Sequence, residues 1–148
     1  MGEEMGRKIL AIAVRTEKNG PMQEIEQVDV SPDDGLEGDL PAAAHRRITL
    51  LSTEQWTETT KGLGADLPWH TRRANVLLEG GSLEDLIGST IRLGNLKVKV
   101  NAETKPCGLM DKIHMGLREA LVPDCRGGVY GEIVEGGTIK VGDALKVG

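Results

Sequence analysis

Cys107 stands in the stretch ETKPCGLMD, between Pro106 and Gly108, and not inside an apolar run. Proline stiffens the approach, and glycine lets a ligand or another backbone come close. If the following GLMDKIHM segment is helical, Cys107 lies at a helix N-terminus, where the dipole and Lys105 favour a thiolate. A thiolate there suits a nucleophile, a persulfide carrier or a soft-metal ligand. The plain alternative is an inert small hydrophobe in a loop. Asp111 and His114 follow Cys107 by four and seven residues. One helical face would carry all three, with the carboxylate and imidazole as proton carriers.

The stretch HTRRANVLL brings Arg72, Arg73 and Asn75 to the start of an apolar strand. Guanidinium groups suit phosphate, and an amide reads the edge of a heterocycle. A solvated basic turn is the alternative. Arg46-Arg47 is a second candidate anion pair. Cys125, in PDCRGG, follows an aspartate that raises a thiol pKa while Arg126 opposes this, and it reads as structural. PDDGLEGD holds four carboxylates and reads as a solvated acidic loop. His45, His70, His114 and the two cysteines show no CxxC, HxxxH or HExxH spacing, which disfavours a closed zinc site. GxSxG, Walker and GxGxxG patterns are absent.

The 148 residues suit one domain over 1–148, with residues 1–7 frayed. Hydrophobic residues make up 39% and charged ones 28%, a globular balance. A net charge of -5 disfavours a general nucleic-acid binder, and 2% aromatics leave little for base stacking. With no Phe, the core falls to Val, Ile, Leu, Met and Ala. The acidic N-terminus and the short apolar run Ile9–Val14 do not fit a signal peptide. No run approaches the ~20 apolar residues of a membrane span. These features predict a cytoplasmic protein with no nucleic-acid or membrane partner. Its cysteines would be reduced there, which argues against a Cys107–Cys125 disulfide.

KILAIAVRT, MQEIEQVDV, RITLLS and RANVLLEG read as strands, the second with one slip in its alternation. SPDDGLEGDLPAAAHRR is a long turn-rich connection. Ser52 caps a helix in STEQWTETTKGLG, Gln55 completes a capping box, and Gly62 or Gly64 ends the helix. SLEDLIG is a short helix between Ser82 and Gly88. TIRLGNLKVKV is a hairpin turning at Gly94-Asn95, with Leu93 facing Leu96 and Ile91 facing Val98. GLMDKIHMGLREAL reads as a helix with a break at Gly116. Closing strands turn Ile139, Val141, Leu145 and Val147 inward. The predicted fold is mostly β: a closed β-barrel of about seven strands with a few short helices.

Several of these segments, in order, resemble MOSC domains, the family named from the C-terminal part of molybdenum-cofactor sulfurases. They are GLEGD, RRITLLS, RRANVLLEG, LGNLKVKVNAETKPC and RGGVYGEIVEGGTIKVGD, spanning about residues 35–147. The short stand-alone bacterial type is the most similar. The resemblance implies a barrel with Cys107 as the functional cysteine, carrying sulfur or ligating molybdenum. It implies that Arg73 and Asn75 contact the pyranopterin, with Ser52 near the same pocket and Arg126 in a matching RGG element. It implies the molybdenum cofactor as ligand. The pyridoxal-phosphate (PLP) domain of the full sulfurases has no counterpart in this chain.

Three functions are open. The first is a molybdenum-dependent reductase of N-hydroxylated small molecules, fed by an electron-donor protein. The second is a module holding a persulfide on Cys107, loaded by a PLP-dependent cysteine desulfurase. The third is a non-catalytic binding or sensing module.

Overall fold

The computed structural model describes residues 7–17, 20–40 and 42–147. Residues 1–6 lie outside this set, and with them most of the expected fraying. The strands run β1 (Ile9–Val14), β2 (Gln23–Ile25), β3 (Gln27–Ser31), β4 (Gly35–Leu36), β5 (Ile48–Ser52), β6 (Val76–Leu78), β7 (Thr90–Leu93), β8 (Leu96–Glu103), β9 (Val129–Glu135), β10 (Gly137–Lys140) and β11 (Leu145–Val147). The α-helices are α1 (Thr53–Leu63), α2 (Leu109–Ile113) and α3 (Leu117–Ala120). None is long and apolar enough to cross a membrane.

Eight strands make one mixed sheet in the order β11-β7-β8-β9-β5-β6-β1-β2, and a small sheet has the order β10-β3-β4. The predicted closed barrel does not form. β11 and β2 are open edges, and Lys8 and Ala144 make one isolated bridge in place of a ladder. Two crossings between sheets explain the difference. MQEIEQVDV divides at Glu26, at the slip in its alternation, so that β2 joins the large sheet and β3 the small one. The chain crosses again at Gly136, between β9 and β10, where a Cβ would come 2.6 Å from the Val30 carbonyl oxygen. β10 therefore pairs with β3 and not with its neighbours in sequence.

β5 and β6 are parallel and joined through α1, the crossover that parallel strands require. Parallel strands covered on both faces read as continuous apolar runs, as ITLLS and NVLL do. Ile12, Leu50, Val76 and Leu78 face a cluster shared with the small sheet. Ala13, Leu51 and Leu77 face a second cluster with Trp56, Trp69, Met110 and Leu117. The two tryptophans thus join the aliphatic core expected from composition.

The predicted hairpin forms with Leu93 opposite Leu96 and Ile91 opposite Val98. Gly94 takes a positive φ of 59°, which its turn requires. Ser52 caps α1 by accepting from Gln55 N at 3.2 Å, and Gly64 ends the helix in the left-handed region. The Gln55 side chain does not close a capping box: its Nε2 donates to the Asp124 carbonyl at 2.7 Å. Of the four tail residues expected inward, Ile139 and Leu145 are buried, while Val141, past the end of β10, and Val147, at the last position of β11, are exposed.

Gly128 has φ 91°, and a Cβ there would lie 2.2 Å from the Leu50 carbonyl oxygen. Gly128→Ala combines backbone strain with a clash against β5, and is expected to cost about 3 kcal/mol or more in urea unfolding. A loss below about 1 kcal/mol would contradict this seating of β9 on β5.

Candidate functional site

A cavity of about 290 Å³ opens where β1 ends, β6 begins and β8 ends. Five arginines line it: Arg15, Arg46, Arg47, Arg72 and Arg73. Among the described residues that line it, Asp39 is the one carboxylate and Cys107 the one thiol. Among the described residues none of the five arginines forms an ion pair. Arg46 stacks over the Tyr130 ring at 4.9 Å, and Arg47 donates to the carbonyls of Pro32 and Ala42. In a chain of net charge -5 this is a concentrated positive field.

The two neighbouring arginines face different surroundings. A 3-10 turn over Trp69–Arg72 ends with Arg73 in the left-handed region at φ 60°, its N–H donating to the His70 carbonyl at 2.8 Å. Arg72 is buried and Arg73 exposed as a result. The Arg73 guanidinium donates to the Gly20 carbonyl at 3.3 Å. Arg72 Nη2 donates to the Thr104 carbonyl at 2.6 Å. Burial lowers the Arg72 pKa, while the charge of an ionised Cys107 works in the opposite direction.

Asn75 is buried, and its amide is fully engaged. Its Oδ1 accepts from Thr49 N at 3.1 Å and from Thr49 Oγ1 at 3.0 Å. Its Nδ2 donates to the Ala13 carbonyl at 3.3 Å and to Asp39 Oδ2 at 3.1 Å. Asp39 Oδ1 in turn accepts from Arg15 N at 2.8 Å. One side chain therefore ties β1, β5 and the 35–40 loop to the start of β6.

Cys107 is exposed, and both thiols of the chain are free. Cys107, Arg73 and Asn75 share the cavity, whereas Asp111, His114, Ser52 and Arg126 are not in its lining. The single helical face expected for Cys107, Asp111 and His114 does not exist. α2 has five residues, and His114 is already extended at φ -155° before Gly116 turns the chain at φ 89°. Asp111 Oδ1 accepts from Arg118 N at 3.1 Å, and the His114 ring Nδ1 lies 3.0 Å from the Met115 carbonyl oxygen. Ser52 serves α1 as its cap. Arg126 donates to the Ala120 carbonyl and pairs with Glu58.

Asp39, Arg15 and Thr104, also in the lining, carry little signal in the sequence. Asp39 sits in the loop read as solvated, although the GLEGD segment ends on it. Arg15 follows a strand and carries no motif. Thr104 precedes the KPC segment, which drew attention to the thiol alone.

A sequence profile for the MOSC domain matches residues 37–146. The chain belongs to the MOSC domain family. Among solved structures, this MOSC domain is similar to the YuaD protein from Bacillus subtilis, with a TM-score of 0.79 at 20% identity over 97% of this chain and 96% of that one. It is also similar to YiiM from Escherichia coli, with a TM-score of 0.75 at 13% identity over 95% of this chain and 69% of that one. YiiM from Geobacillus stearothermophilus gives a TM-score of 0.69 at 18% identity, over 96% and 75% of the two chains. These likenesses extend to the fold alone. No curated protein matches this chain significantly.

Asn75→Leu in the MOSC domain strands the Thr49 donors and frees Asp39. It is expected to cost about 3 kcal/mol in chemical denaturation, since each stranded buried group costs roughly 1–3 kcal/mol. Retention of wild-type stability would show that the four bonds are not needed. Burial first, then Glu103 and Glu84, push the Cys125 thiol from 9.0 up to about 11. Below pH 9 the thiol is neutral in folded and unfolded chains alike; between 9 and about 11 only the unfolded chain ionises. Stability therefore falls with rising pH in that window, and Cys125→Ala should make the fall shallower. Identical pH profiles for the two proteins would rule this out.

Proposed function

We propose that this MOSC domain binds the molybdenum cofactor, with the Cys107 sulfur as protein donor to the metal and the cavity's arginines holding the cofactor's phosphate. The observation that carries this is one exposed thiol opening on the same cavity as five guanidinium groups. The residues fit such a ligand on chemical grounds. A thiolate is the soft donor that a sulfur-bound molybdenum favours, and arginine matches phosphate geometry. Arg72 Nε and Thr104 Oγ1, on two residues of the cavity lining, are buried and have no partner among the described residues. The engaged amide of Asn75 supports a part in fixing the cavity wall.

When bound, such a group supplies a metal that exchanges two electrons, which suits reduction of an N–O bond in an N-hydroxylated substrate. The chain's own residues bind and orient: Cys107 offers sulfur, Arg73 offers charge at the exposed rim, and Arg72 offers charge within the wall. The electrons would come from a separate donor protein.

A second reading is favoured by the exposure of Cys107 together with its neighbour Leu109, which is 60% exposed. A partner protein can reach this sulfur. Cys107 would then hold a persulfide received from a PLP-dependent cysteine desulfurase and pass it on.

Protein purified from molybdenum-replete cells is expected to carry molybdenum and pterin, and Cys107→Ser to lose the metal while keeping its circular dichroism spectrum. Wild-type protein free of both after gentle purification would sink the first reading. After incubation with a desulfurase and cysteine, the second reading expects a gain of one sulfur by intact mass in wild type. An equal gain in Cys107→Ser would end it.

A further inference from the structure

Eight large hydrophobic side chains are exposed among the described residues, and four of them, Leu109, Ile113, Met115 and Val122, fall within residues 109–122. That segment follows Cys107 directly. Single apolar side chains on a surface are ordinary, whereas a concentration of them beside a reactive group marks a contact surface. These are not core residues that missed their seats. α2 buries Met110 and α3 buries Leu117, both in the cluster around Trp56 and Trp69, so other side chains anchor the segment. Leu109 and Ile113 lie four positions apart on α2 and share its outward side. Met115, in the turn that follows, is 86% exposed. Leu109 and Cys107 both line the arginine-rich cavity, so the sulfur stands between that cavity and the apolar face.

The charges around the face select its partner. Asp111, the carboxylate of α2, is turned back to accept from Arg118 N at 3.1 Å. Lys105 and Lys112 are exposed and form no ion pair among the described residues. Arg46 and Arg73 are exposed at the cavity. Against them stand Glu103, which is half-buried, and Glu119, whose neighbour Arg118 offsets it. The free charge is therefore mostly positive, and the complementary surface is apolar with carboxylates at its rim. A sulfur donor must bring its own sulfur into bonding contact with Cys107, whereas an electron donor needs only to come near. A face that borders the thiol itself suits the sulfur donor.

We propose that Leu109, Ile113 and Met115, with Lys112, form the docking surface for a sulfur-donor protein whose contact face is apolar and flanked by carboxylates. The proposal rests on the persulfide reading and names the surface that reading requires. In the docked pair the Cys107 thiolate attacks the terminal sulfur of the donor's cysteine persulfide. A bond forms between that sulfur and Cys107, the donor's S–S bond breaks, and the donor cysteine leaves as a thiolate. The terminal sulfur keeps its proton, and no outside oxidant or reductant is consumed.

The test follows sulfur gain by intact mass while each PLP-dependent cysteine desulfurase of the source organism turns over L-cysteine. Glutathione persulfide, in a parallel reaction, performs the same exchange without a protein surface. The double variant Ile113→Glu/Met115→Glu alters two exposed side chains outside the cavity lining. It is expected to slow gain from the desulfurase about ten-fold or more, and to leave Tm and gain from glutathione persulfide unchanged. Lys112→Glu should slow the protein reaction about three-fold and reduce its dependence on ionic strength.

Equal loading of wild type and both variants by a desulfurase would overturn the docking surface while leaving the persulfide reading intact. If no desulfurase loads the wild type, the persulfide reading itself fails and the surface with it. Two other occupants would also overturn the proposal. One is a second copy of the chain, seen as a concentration-dependent dimer in sedimentation that the double variant abolishes. The other is a lipid surface, seen as binding to phosphatidylglycerol vesicles that the same variant abolishes.

Discussion

A guanidinium taken out of water must find acceptors, and Arg72 has one strong one, the Thr104 carbonyl. Removing the partner of a buried charge costs several kcal/mol, far more than a surface pair contributes (roughly 3–5 against 0–1). The neighbourhood is arranged around that contact. Thr104 N donates to the Gly128 carbonyl at 2.8 Å, which fixes the end of β8 against the turn into β9. Gly127 stays bare because a Cβ would lie 2.4 Å from the Thr104 oxygen. Cys107 comes three residues later, after Pro106, so the position of the sulfur follows from the seating of a charge.

Asn75 and Asp39 form the opposite wall by a different means. The amide exchanges four hydrogen bonds with β1, β5 and the acidic loop, and the carboxylate passes the constraint on to Arg15. Arg47 and Arg73 are held by carbonyl oxygens and Arg46 by a tyrosine ring. Such partners fix geometry without cancelling charge. The wall is thereby rigid and electropositive together, a combination suited to an anionic ligand that arrives from solution.

Much of this was legible in the residues themselves. The Gly94-Asn95 turn and its alternating strands fix their own register, and Ser52 announces α1, because both signals are local. Cys107 stood out by its Pro and Gly neighbours, and the arginine pairs by their charge. The closed barrel expected from sequence does not form because alternation marks a strand without naming its partner. The crossings at Glu26 and Gly136 decide the pairing, and they depend on contacts far along the chain. The expected shared helical face is absent for a local reason, since Gly116 and the extended backbone at His114 end the helix before a third residue can share its face. Asp39 looks like a solvated carboxylate in sequence because its partner is Asn75, thirty-six positions away.

The cavity draws on Arg15 near one end of the described chain and Gly127 near the other, with strand pairings that interleave early and late segments. Such a topology assembles slowly, since distant loops must close before their contacts contribute. On the ribosome the cavity is therefore incomplete until the turn before β9 has emerged.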